Sequence, residues 1–142
     1  MFCIIKCGSA SKSLNLGHII IWNALKPEML SPRAEKAISA ANNSDGIIFC
    51  DISLWEIAML MHKGRLNIDV EYLEFIKLVL ESNNYVYRGI TPEIAGLSAS
   101  LFSDNNKDPA DRIIAATSII ENAKLVTADK KLRQSKKVTT IW

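Results

Sequence analysis

The chain has 142 residues, 49% hydrophobic and 23% charged, which bounds it to one globular domain with a core of its own and excludes intrinsic disorder. Its 17 basic and 15 acidic residues leave a net charge of +2, too balanced to argue for nucleic-acid binding by itself. The longest apolar run, Ile57 to Met61, is far short of the roughly 20 residues that span a bilayer, so no membrane role is expected.

Met1 to Cys7 lacks the basic start and long apolar centre of a signal peptide, and a cytoplasmic protein is the expectation. Phe2 to Ile5 can form a short strand, whereas Gly8 to Ser13 is small and polar. Three cysteines give no disulfide framework, and Cys3, Cys7 and His18 have neither the spacing nor the fourth ligand of a zinc site. Leu14 to Leu16 is a second candidate strand, ended by Gly17, and His18 to Leu25 reads as a short buried helix.

Ser31-Pro32 pairs an N-cap with proline at the first helical position and opens a helix to about Asn42. Asn43 to Gly46 is turn chemistry, and Ile47 to Ile52 is an apolar run expected to be a buried strand. Ser53-Leu54-Trp55-Glu56 has the form of a capping box, starting a helix that Gly64 stops. Asp69 is expected to cap the next helix, whose apolar residues Val70 to Leu80 keep helical spacing. Tyr85 to Ile90 reads as a strand, and Thr91-Pro92-Glu93 opens a helix to about Phe102. Then come a helix headed by Asp108-Pro109, a strand over Leu125 to Asp129, a short basic helix, and a strand over Val138 to Trp142. Helices alternating with short apolar strands predict an α/β fold with a mostly parallel sheet.

The helix after Asp108 is the chemically telling one. Asp108 is a good N-cap, Pro109 suits the first position, and Asp111 falls at the third, at the mouth of the apolar run Ile113 to Ala116. Two more acids take comparable places, because Glu56 opens a helix just after a strand and Asp129 ends one. Ligand sites of open parallel sheets gather beyond the carboxyl ends of the strands, so Glu56 and Asp129 are expected at one edge, with Asp111 able to join them. Carboxylates gathered there repel, and oxygen donors without a Cys/His set favour a hard cation, Mg²⁺ or Mn²⁺. Such an ion can activate water against a phosphodiester. Each acid taken alone is also explained by helix capping. Lys130, Lys131, Arg133, Lys136 and Lys137 likewise read, alone, as a solvated face. Trp22 and Trp55 read as core residues and His62 as a surface residue.

Ile52 to Ala58, Asp108 to Ala115 and Leu125 to Asp129 resemble the motifs of PIN-domain ribonucleases, and more narrowly the VapC-type toxins of bacterial toxin–antitoxin pairs. His18 to Trp22 and Leu30 to Ala34 resemble the start of one VapC subgroup, so the likeness runs over about residues 14–142. It implies a three-layer α/β/α fold, Mg²⁺ or Mn²⁺, hydrolysis of RNA phosphodiesters, a homodimer, and a small VapB-like antitoxin whose tail fills the acidic groove. Carried across, Glu56, Asp111 and Asp129 match three family acids and metal ligands, Asp108 a frequent companion, and Thr127 a supporting hydroxyl. The family's first acid ends the first strand, two positions before the match to His18, and there this chain has Leu16 with Asn15 beside it.

Residues 1–13 do not resemble the family's start and are expected to be an atypical segment, ordered or disordered, ahead of a PIN-like domain over 14–142. A shifted frame or misplaced start is one hypothesis for them, and the same N-terminus found translated from the transcript counts against the misplaced start. The expected function is a metal-dependent endoribonuclease toxin, weakened or inactivated by Leu16. The alternative is a catalytically dead PIN-like module that binds an antitoxin or RNA. A receiver-like domain phosphorylated on Asp129 or Asp51 is a third reading, with support only from Thr127 and nearby lysines.

Overall fold

The computed structural model describes residues 3–5, 19–101 and 108–142. Five strands form one sheet in the order β3-β2-β1-β4-β5. They are β1 (Cys3–Ile5), β2 (Ile47–Cys50), β3 (Tyr85–Arg88), β4 (Lys124–Val126) and β5 (Thr140–Ile141). β2 runs parallel to β3 and β4 parallel to β5, while β1 lies between the two pairs, antiparallel to both. Four strands therefore point one way and the central one points back. Phe2 to Ile5 was one of two segments with strand character, and it is Cys3–Ile5 that occupies the centre. Leu14 to Leu16 and His18 lie outside the described residues.

Seven α-helices and a 3-10 turn (Pro27–Met29) accompany the strands among the described residues: α1 (Ile19–Leu25), α2 (Pro32–Asn42), α3 (Asp51–His62), α4 (Tyr72–Ser82), α5 (Pro92–Ser100), α6 (Pro109–Ile120) and α7 (Lys130–Gln134). Every residue of β2 is buried. Successive side chains of a strand point to opposite faces, so both faces of the sheet are covered and the architecture is three-layered. Phe49 of β2 is wholly buried and meets Tyr85 of β3 edge-on, ring centroids 5.7 Å apart. Ile19, Ile20 and Ile21 of α1 and Ile38 of α2 join the same core. Ala115 and Ala116 of α6 are fully buried small residues. No helix among the described residues is long and apolar enough to cross a membrane.

The three Pro-headed helices begin where their caps predict. Ser31 Oγ accepts from Ala34 N at 3.2 Å, Thr91 Oγ1 from Ile94 N at 3.3 Å, and Asp108 Oδ1 from Ala110 N at 2.9 Å. The turn before β2 needs Gly46, which sits at φ +88°. A Cβ there would meet Val86 Cγ2 at 2.7 Å and the Asn84 carbonyl at 2.8 Å.

Elsewhere the chain departs from expectation. β2 stops at Cys50, which is the N-cap of α3, and the helix starts at Asp51. Ser53 is therefore inside the first turn and wholly buried, and no capping box forms. Its hydroxyl has no hydrogen-bond partner among the described residues. Asp69 does not cap α4, because Glu71 is its N-cap and the helix begins at Tyr72. α5 ends at Ser100 with Leu101 as its C-cap, and Phe102 lies outside the described residues. Trp22 packs against the core as expected, but Trp55 is 58% exposed. A helix has one face toward the sheet, and on α3 the fully buried Ser53 and Ile57 take it.

Candidate active site

The strand directions decide where the acids stand. β2 and β4 end at the same edge of the sheet, so α3, which leaves β2, and the segment after β4 both start there. α6 leads back into β4 from the far edge, which puts the start of α6 at this edge too. Glu56 on α3, Asp108 and Asp111 on α6, and Asp129 after β4 thus share one end of the fold. β1 meets that edge with its start, since Cys3 pairs with Val126 and Ile5 with Lys124.

Each acid sits in its own way. Glu56 is half-buried, and burial raises the pKa of its carboxyl, with the negative charge of Asp108 pushing the same way. Asp108 is exposed and its Oδ1 caps α6. Asp111 is half-buried in the first turn of that helix, at its positive end. Asp129 Oδ1 accepts from Lys131 N at 2.8 Å and Leu132 N at 2.9 Å, capping α7. Thr127 is wholly buried and its Oγ1 accepts from Asp129 N at 3.1 Å. That bond fixes the backbone from which the Asp129 side chain leaves, and Thr127 N in turn donates to Ile141 O of β5 at 3.2 Å. Glu56 and Asp108 are within electrostatic reach of each other. Among the described residues no three His, Cys, Asp or Glu side chains converge on a metal-sized space. Two of the acids, Asp108 and Asp129, are turned toward the helices they cap.

Two neighbours carry little signal in the sequence. Asp51 Oδ2 accepts from Ile90 N at 3.0 Å and ties the first turn of α3 to the loop after β3. A Cβ at Gly89 would stand 3.3 Å from that oxygen, so the glycine permits the approach. The other is Cys50, buried at the end of β2. Burial pushes its thiol up to about 12 from the ordinary 9.0, with a hydrogen bond to Thr117 pulling partly back. Below pH 9 the thiol is neutral whether folded or unfolded, and its contribution is complete. Between about pH 9 and 12 only the unfolded chain ionises, and stability falls by up to about 1.4 kcal/mol per pH unit. Urea unfolding from pH 8 to 10.5 should therefore show a shallower decline for Cys50→Ala than for the unchanged chain, and equal slopes would remove Cys50 as the cause.

A PIN domain model matches residues 18–138 of the chain. The protein named Ribonuclease VapC22 from Mycobacterium tuberculosis (strain ATCC 25618 / H37Rv) is 34% identical over 127 residues, which cover 88% of this chain and 94% of that protein. No solved structure matches the chain.

Proposed function

Because the chain belongs to the PIN-domain family, as a ribonuclease of the VapC type, we propose that it is a divalent-metal-dependent endoribonuclease toxin whose activity Leu16 weakens. Glu56 carries the reading. Its half-buried carboxyl stands at the edge where β2 and β4 end, close enough to Asp108 to feel its charge, and burial there raises its pKa. The donors at this edge are carboxylate oxygens, which suit Mg²⁺ or Mn²⁺. Glu56, Asp111 and Asp129, which share this edge but among the described residues do not converge on one metal-sized space, would have to draw together to hold the ion.

When bound, the ion supplies charge neutralisation at the phosphodiester and lowers the pKa of the attacking water. The remaining work belongs to the chain. Asp108 holds the start of α6 so that Asp111 keeps its place in the first turn, and Thr127 fixes the backbone of Asp129. The buried sheet behind them gives the acids a rigid base.

Its substrate is RNA, and its partner a small VapB-like antitoxin. The active form is a homodimer in the cytoplasm. The PIN-like unit runs over 14–142, and residues 1–13 are an addition to it from which Cys3–Ile5 are recruited into the sheet. The receiver-like reading falls away with the family, and the Asp51 carboxylate is occupied by Ile90 N–H.

RNA cleavage in Mn²⁺ or Mg²⁺ tests the reading. Weak cleavage is expected from the unchanged chain, abolished by EDTA and by Asp111→Ala. Cleavage that survives Asp111→Ala would mean that the acid edge is not the catalytic site. One observation favours a second reading, a module that binds antitoxin or RNA without cutting it: the apolar Leu16 at the family's first acidic position. Silence from the unchanged chain, with antitoxin or RNA binding intact, is its signature.

A further inference from the structure

The net positive charge of this protein rests on one short stretch of the chain. Lys130, Lys131, Arg133, Lys136 and Lys137 follow Asp129 within eight positions that contain no acid. Without these five, a chain of net charge +2 becomes one of net charge −3. All five are exposed. Lys137 Nζ donates to the Leu101 carbonyl, and among the described residues none of the other four side chains makes an ion pair.

The strip is also held in place. Leu132 is wholly buried beneath α7, and Asp129 caps the helix from its first turn. Lys130 and Arg133 are three residues apart and so share a helix face, while Lys131 lies on the other side of the buried Leu132. The acid edge and the basic strip are joined through Asp129 itself.

That juxtaposition meets a physical difficulty of the site. A cluster of carboxylates repels a polyanion, and without the strip the chain that carries this cluster has a net charge of −3. We propose that Lys130, Lys131, Arg133 and Lys136 bind the phosphodiester backbone of an RNA strand and lead it past Asp129 to the acid edge. The strip grips phosphate and is therefore indifferent to base sequence. The inference rests on the ribonuclease reading, which supplies RNA as the ligand.

Fluorescence anisotropy of a labelled oligouridylate in EDTA tests it on the full chain without cleavage. The unchanged chain is compared with Lys130→Gln/Lys131→Gln/Arg133→Gln and with Lys130→Arg/Lys131→Arg. For a single strand, the slope of log affinity against log salt falls by about 0.7 for each phosphate that is no longer neutralised. The triple variant should therefore lower the slope by about 2 and the affinity on the order of 100-fold at 0.1 M salt. The Arg pair should retain both, and the unfolding temperatures should match.

Equal RNA binding by the triple variant would overturn the proposal and leave the ribonuclease reading standing. No RNA binding by the unchanged chain, even at low salt, would count against both. Weaker binding with an unchanged salt slope would assign the strip a structural role and overturn it. A polyglutamate peptide that binds as tightly as RNA, with the same dependence on the three residues, would assign the strip to an acidic partner instead.

Discussion

In Mn²⁺, Leu16→Asp is expected to cleave RNA about 10²–10³-fold faster than the unchanged chain, the range spanned when one well-placed polar group at a developing charge is gained or lost. The acids available at this edge come from α3, α6 and the segment after β4, and none from the central strand. β1 runs opposite to its neighbours, so a residue that ends it lies at the far edge of the sheet. If Leu16 stands at the family's first acidic position, as the resemblance implies, a carboxylate there supplies the missing donor. Comparable rates from both proteins would mean that Glu56, Asp111 and Asp129 suffice. No cleavage by either would unseat the matching of Leu16 to the family's first acid.

Asp129→Asn and Asp129→Ala should separate two roles that one side chain performs. Its Oδ1 caps α7 through two backbone N–H groups, and its charge is assigned to the metal. Asparagine caps a helix about as well as aspartate, whereas alanine costs roughly 1 kcal/mol. Asp129→Asn should therefore leave the unfolding free energy nearly unchanged and lower cleavage by about 10²-fold or more, as expected for loss of one charged group at the transition state. Asp129→Ala should lose both activity and about that much stability. The measurement is best made in the Leu16→Asp background, where the rate is largest. Full activity in Asp129→Asn would reduce the residue to a helix cap.

The parts of the fold legible in the sequence are those fixed by neighbours a few residues away. Ser31, Thr91 and Asp108 each bond a backbone N–H two or three positions on, and each stands before a proline that excludes the alternatives. The turn at Gly46 is local in the same sense. What escaped depends on distant partners. Ser53 and Glu56 have the spacing of a capping box, yet tertiary packing draws α3 back to Asp51 and buries Ser53. Trp55 is apolar in an apolar stretch, and only the face that α3 turns to the sheet shows that it lies outside. The reversed direction of β1 follows from pairing with strands far along the chain. At the site, the sequence led to three acids at one edge, Glu56, Asp111 and Asp129. It could not tell that Asp108 and Asp129 spend an oxygen each on the backbone, because capping and ligation ask for the same residue at the same place.

The reversed central strand also sets the order in which the protein can be finished during synthesis. β1 is made before both of its partners, and β4, the second of them, emerges about 120 residues after it, roughly 6–24 s behind at 5–20 residues per second. In that interval β1 can pair only with β2, and its other side is an open edge able to pair with another chain. The acids arrive on the same schedule. Glu56 is made with α3, while Asp111 and Asp129 come only with α6 and the segment after β4, together with the strands that close the sheet. A truncated or stalled chain therefore has neither a complete sheet nor a complete acid set, and the protein gains both in one late step.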